Sequence, residues 1–166
     1  MFRQWVSRIA LLTVIATTIG CDQVSKHLAT SHLRGAPGQS FLADSIRLEY
    51  AHNMGSFLSL GSELPSALRA ALFSFATAIM LASCAFAIVC QRTMTLWVFG
   101  LALVVAGGVS NLVDRVAYGA VTDFLNVGIG SLRTGIFNVA DMAIMTGMGL
   151  ILVWAARQKK RGADAA

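Results

Sequence analysis

Four long apolar runs divide this chain, and its polar residues gather between them. Ile9 to Ala29 supplies 21 residues, and a spanning helix needs about 20. Asp22 and Lys26 interrupt this run four residues apart, so on a helix they share a face and can neutralise each other. Ala67 to Cys90 carries no charge except Arg69 near its start. Met94 to Val113 contains Gly100, Gly107, Gly108 and Ser110. Small residues of this kind let helices approach closely, which would also carry Asn111 and Asp114 toward the other helices. Phe137 to Ala156 has Asp141 about one turn in from its start. The pattern predicts spans at about 9–29, 67–90, 94–113 and 137–156.

The stretches between the spans differ in kind. Residues 91–93 are a very short turn. Residues 30–65 bring in Gly, Pro, Ser and charge, and 36 residues is long for a mere connector. Within Gln39 to Asn53, Ile46, Leu48 and Tyr50 alternate with Arg47 and Glu49, the pattern of a half-buried strand. Residues 114–135 form a second polar section. The expected fold class is mainly α: a polytopic membrane protein of four transmembrane helices with a small β-containing element on one face. It is read as a single membrane-embedded domain over residues 1–166.

Composition supports a membrane protein. Hydrophobic residues make up 56% of the 166 and charged residues only 13%, whereas a soluble domain is about a quarter charged. The net charge of +5 fits positive-inside anchoring. The basic residues are scattered apart from Arg157, Lys159, Lys160 and Arg161, so no nucleic-acid partner is expected. Seven basic residues on the terminal side against six on the loop side decide little about orientation. The basic tail and the short 91–93 turn favour cytoplasmic termini. Cys21, Cys84 and Cys90 form no CxxC and are expected to be small buried hydrophobes. Trp5, Trp97 and Trp154 sit near span ends on the terminal side, as an interfacial aromatic belt would. His27, His32 and His52 have no metal-ligand spacing and are expected at the surface. Neither a metal nor a cofactor is expected.

An ionisable group at the centre of a spanning helix costs at least about 2.5 kcal/mol, so the acids are functional candidates. A four-span topology puts Asp22, Asp114, Asp123 and Asp141 near one membrane face, together with Asn53, Asn111 and Asn138. Two carboxylates held close together cannot both ionise easily and come to share a proton. The charged member can take a proton from water while the neutral one donates to a carbonyl oxygen, which serves amide hydrolysis without a metal. Asp123 and Asp141 are the best pair, because each ends a polar loop beside a span. Structural roles compete elsewhere. Asp22 can be a partner for Lys26, Asp114 can pair with Arg115 or cap a helix, and Asn138 can cap the fourth helix.

Several motifs now come together in order. DQVSK at Asp22–Lys26, NMGSF at Asn53–Phe57, NLVDR at Asn111–Arg115, VTDF at Val121–Phe124 and FNVAD at Phe137–Asp141 resemble the boxes of the lipoprotein signal peptidase (signal peptidase II) family, from roughly Asp22 to Ile144. The resemblance implies an inner-membrane aspartyl endopeptidase with its site at the periplasmic face. It would cut diacylglyceryl-modified prolipoproteins on the N-terminal side of the lipidated cysteine. Asp123 and Asp141 would be the catalytic dyad. Asp22, Lys26, Asn53, Gly55, Gly108, Asn111, Asp114, Arg115, Asn138 and Ala140 would support the site or position the substrate. Section 30–65 would form a sheet cradling the substrate, and a mobile helix-bearing loop would lie near 114–135. Partners would be the prolipoprotein and membrane lipid, and a monomer is expected. Two positions depart from the family pattern: Ser110 where Gly is usual, and Thr134-Gly135-Ile136 where a Pro-containing lead-in is expected.

Three other readings fit parts of the pattern. A small proton-coupled carrier could use Asp114, Asp123 and Asp141 as a relay, but the second span carries no acid. A non-catalytic binder of lipidated peptides would not need both Asp123 and Asp141. A lipoprotein with its own cleavable signal would mature at Cys21, after Gly20.

Overall fold

A computed structural model describes residues 2–54, 65–91 and 93–164. Their elements in order are α1 (Phe2–Leu33), β1 (Gln39–Phe41), β2 (Ile46–Asn53), α2 (Ser66–Cys90), α3 (Leu96–Tyr118), β3 (Val121–Ile129), β4 (Leu132–Arg133) and α4 (Val139–Asp164). All four helices are long and apolar enough to cross a membrane. α1 runs unbroken through Gly20 and Cys21, and it packs Leu11 and Ile15 against Val98, Ala102 and Trp97 of α3. That packs the N-terminal run into the bundle beside α3.

α3 is the central helix and touches α1, α2 and α4. Its small residues make this possible. A Cβ on Gly107 would collide with the Ala140 carbonyl of α4, and one on Gly100 would stand 2.6 Å from the Gly147 carbonyl oxygen. Gly108 abuts Leu81 of α2. Without side chains at these positions the backbones approach closely, and dispersion contacts replace the hydrophobic drive that lipid does not supply.

Three expectations need correcting. α3 ends at Tyr118 rather than near Val113, so Asp114 and Arg115 lie on the helix and not in a polar loop. It stops at Gly119, whose φ of 75° is left-handed and whose N–H bonds the Arg115 carbonyl at 3.0 Å, a glycine C-terminal stop. Next, the sheet is not confined to section 30–65. β3, from the section expected to bear a mobile helix, is a strand, and the order is β1-β2-β3-β4, all antiparallel. Val121 to Phe124 are buried, so this strand is covered on both faces and shows no alternation to read. Finally, Cys21 and Cys90 are exposed and Cys84 partly so. An outward position suits them because the surroundings of a spanning helix are themselves apolar.

β2 and β3 pair from Ile46↔Val127 to Asn53↔Val121, with an irregularity between Leu48 and Ala51. A second apolar cluster fixes the sheet to the bundle. Ala29 and Leu33 of α1 bury Phe124, and Leu48, Tyr50, Leu125 and Val139 pack around them. This places the β3 start and the α4 start side by side at the ends of the helices.

Candidate active site

The first turn of α4 builds one half of the site. Asn138 precedes the helix and accepts the Asp141 N–H on Oδ1 at 2.9 Å, while Asp141 Oδ2 accepts the Asn138 N–H at 3.2 Å. This reciprocal pair is a capping box, so the cap expected of Asn138 is present and Asp141 is the other half of it. The next free amide, that of Ala140, donates to Asp22 Oδ1 of α1 at 2.7 Å. Carboxylates suit this helix end, where unsatisfied N–H groups carry partial positive charge.

β3 brings the other acid. Ala51 is opposite Asp123 across the ladder, and Asp123 is only 2% exposed. Its Oδ1 accepts the Asn138 side-chain amide at 2.6 Å, and its Oδ2 accepts that of Asn53 at 3.1 Å. Burial pushes the Asp123 carboxyl above its usual range, and the nearby Asp141 charge adds to this. The amides of Asn53 and Asn138, and the charge of Lys26, pull the other way.

Behind the two acids lies a buried ring of side chains from α1 and α3. Lys26 Nζ contacts Asp22 Oδ2 at 2.7 Å and Asp114 Oδ2 at 2.8 Å, and donates to Asn111 Oδ1 at 2.7 Å. Ser110 Oγ donates to Asp22 Oδ2 at 2.7 Å and accepts from the Gln23 amide at 2.9 Å, and that amide also reaches Asp114 Oδ1 at 2.9 Å. Lys26 is thus paired with two carboxylates and hydrogen-bonded to Asn111, the kind of company a buried charge requires. The ring also orients Asn111. With Oδ1 on Lys26, its amide faces Asp141 and donates to Oδ1 at 2.8 Å.

Most of the expected residues therefore meet: Asp22, Lys26, Asn53, Asn111, Asp114, Asn138, Asp123 and Asp141, with Ala140 through its backbone. Gly108 serves packing against α2. Asp22 pairs with Lys26 as expected, but Asp114 pairs with Lys26 and not with Arg115, because adjacent helical residues point about 100° apart. The Arg115 guanidinium has no hydrogen bond or ion pair among the described residues. Gly55 lies outside the described residues. Gln23 and Ser110 join the ring beyond the residues expected from the sequence. The signal was there: Asp22, Gln23 and Lys26 repeat the i, i+1, i+4 spacing of Ser110, Asn111 and Asp114, so two matching polar faces can interlock.

Two acids that bear on each other, each held by side-chain amides at one end of an apolar bundle, can activate a water and polarise a carbonyl. Known proteins share the sequence pattern and the fold. A family model described as signal peptidase (SPase) II matches residues 14–157. A lipoprotein signal peptidase of Syntrophus aciditrophicus is 32% identical over 146 residues, covering 87% of this chain and 91% of that protein. Another, of Sphingopyxis alaskensis, is 37% identical over 133 residues, covering 79% of this chain and 76% of that protein. A solved structure described as a bacterial membrane enzyme shares the fold, with a TM-score of 0.78 at 20% identity over 92% of this chain and 90% of that one. The family match takes in every carboxylate of the cluster from Asp22 to Asp141, and the chain belongs to the signal peptidase II family of aspartic peptidases.

Proposed function

We propose that this peptidase removes signal peptides from diacylglyceryl-modified prolipoproteins, cutting just before the lipidated cysteine, with Asp123 and Asp141 as its catalytic pair. The observation that carries the assignment is the bridge made by Asn138, whose side-chain amide donates to the Asp123 carboxyl and whose backbone N–H donates to the Asp141 carboxyl at the junction of β3 and α4. A water between the carboxylates gives a proton to the ionised member and attacks the scissile carbonyl. The protonated member donates to the carbonyl oxygen; as the C–N bond breaks, the departing amine takes the proton that the first acid received from water, and the new hydroxyl returns its proton to the second acid. The two acids titrate as one unit. Asn53, Asn111 and Asn138 hold them through amides, which supply hydrogen bonds without adding charge.

The site opens to the periplasm, with the termini in the cytoplasm and the spans in the inner membrane. The basic tail Arg157, Lys159, Lys160 and Arg161 supports this orientation. The protein acts as a monomer, in a single membrane-embedded domain. The acyl chains of the substrate stay in lipid and fix the depth of the scissile bond, which contributes to rate as well as selectivity.

The test is cleavage of a diacylglyceryl-modified lipobox peptide by purified wild type, Asp123→Asn and Asp141→Asn side by side. Cleavage immediately before the modified cysteine by wild type alone is expected. Full activity in either variant would sink the assignment.

A further inference from the structure

Among the described residues, most exposed apolar side chains lie on the helices, where surrounding lipid accounts for them. One group does not. Leu42, Ile129 and Leu132 are 73%, 82% and 83% exposed, and Phe41 and Val127 are 45% and 39% exposed. They belong to separate segments that the sheet register draws together. Phe41 pairs with Ile46, Ile46 with Val127, and Ile129 with Leu132. This is the end of the sheet away from the Asn53↔Val121 pair, where β3 leaves α3.

The tip is a built unit. Leu42, Ala43 and Asp44 are three consecutive non-glycine residues in the left-handed region, at φ 52°, 51° and 68°. Such a run is unfavourable and persists only where its surroundings hold it. Arg47 holds it with two hydrogen bonds to the Asp44 carboxylate at 2.7 and 2.6 Å. Arg133 Nη1 donates to the Asp44 carbonyl at 2.7 Å, and the Gly128 N–H donates to the Ser45 carbonyl at 2.9 Å. The β1–β2 turn is thus tied to β3 and β4, and the product is a firm apolar end, not a frayed loop.

The sheet also lies along the flank of α1 rather than standing beyond its end. Gln39, Leu48 and Phe124 face Ser25, Leu28 and Leu33 across an apolar groove. Val24 and Leu28 on this part of α1 are 60% and 52% exposed. An apolar surface therefore continues from the lipid-facing side of α1 along the groove toward the sheet tip.

We infer that the tip of the sheet is seated in the headgroup–acyl boundary of the adjoining leaflet, and that its partner is bilayer lipid. Continuity with the lipid-facing side of α1 favours lipid over a second protein. So does the character of the patch, which is aliphatic with one aromatic ring and has arginines beside it, as interfacial segments do. β3 carries Asp123 near one end and Ile129 at the other, so a tip held in lipid sets the height of the strand above the membrane. The inference is independent of the proposed chemistry.

The test uses the full chain in phosphatidylethanolamine–phosphatidylglycerol nanodiscs, with Cys21, Cys84 and Cys90 replaced by alanine. Spin labels are placed through Leu42→Cys, Ile129→Cys and Leu132→Cys in separate proteins, each confirmed as folded by its thermal transition. Phe75→Cys, on the lipid face of α2, and Lys160→Cys, in the basic tail, give the two reference values. The expected result is that tip labels collide more with oxygen than with a water-soluble nickel chelate, as the label at position 75 does. Chelate accessibility equal to that at position 160 would overturn the inference. Shielding from both reagents would overturn it as well, since it would mean that protein covers the tip.

Discussion

Asn138 donates its side-chain amide to Asp123 Oδ1 at 2.6 Å, across the junction between a strand and a helix. The same residue caps Asp141, so one short side chain sets the spacing of both acids. Replacing it separates strand from helix without removing an acid. Asn138→Ala is expected to lower kcat about 10²-fold, the cost of a misplacement of about an ångström, and to leave KM nearly unchanged. Steady-state cleavage of the lipidated peptide checks this. A wild-type kcat would mean that other contacts hold the junction.

Lys26 is the only cation of the buried ring, and it faces Asp22 and Asp114. Removing one partner of a buried ion pair strands the others, at about 3–5 kcal/mol. Lys26→Met is expected to lose that much in thermal or denaturant unfolding of the detergent-solubilised protein. Adding Asp114→Asn should recover part of the loss, because one stranded charge then disappears. Equal stability of wild type and Lys26→Met would show that the ring contributes nothing to the fold.

Two helical glycines should respond in opposite directions to the same change. Gly107→Ala presses a methyl into the Ala140 backbone, while Gly149 has nothing within 4 Å of the new Cβ. The first is expected to destabilise by about 1–3 kcal/mol and to reduce activity, since Asp141 follows Ala140. The second should be neutral or slightly stabilising, as alanine favours helix over glycine by up to about 1 kcal/mol. Unfolding midpoints of the two variants decide it.

Burial raises the Asp123 carboxyl, and this fixes the sign of a pH effect. A group that holds its proton more tightly when folded favours the fold below its unfolded pKa of about 3.9. That advantage is lost as pH rises through the folded value. Stability should therefore fall over the range above pH 4, and Asp123→Asn should remove that part of the slope. Unfolding of both proteins between pH 4 and 8 measures it. Asp44 has the opposite sign. The Arg47 guanidinium holds its carboxyl well below the usual range, so the pinned turn should survive acidification to pH 4.

The four apolar runs were legible because lipid imposes long, uncharged helices, and a polar residue inside one is conspicuous. Asp22, Lys26 and Asp141 stood out on that ground. β3 did not, because Val121 to Phe124 are buried on both faces and offer no alternation. The continuation of α3 to Tyr118 was hidden for a related reason: Asp114 and Arg115 look like the start of a loop until Lys26 of another helix is seen to neutralise the acid. Pairings between distant segments, such as Asp22 with the Ala140 amide, leave no trace in local pattern. Ser110 is the instructive residue. It reads as an irregularity in its motif, yet its hydroxyl joins Asp22 to Gln23 in the folded molecule.

The Asp22 carboxylate reaches from the first helix to the second amide of the last, and this has a bearing on biosynthesis. A chain emerging from the ribosome would have α1, α2 and α3 in the membrane and the sheet strands beyond it before α4 arrives. Until then Asp22 lacks its backbone donor, Asn111 has no acid to orient, and Asp123 stands without its partner. The two acids proposed as the catalytic pair would meet only when the final span threads into place and closes the circuit with the first. On that proposal a nascent or truncated copy would be inert, and proteolytic power would appear in the membrane only as a property of the finished molecule.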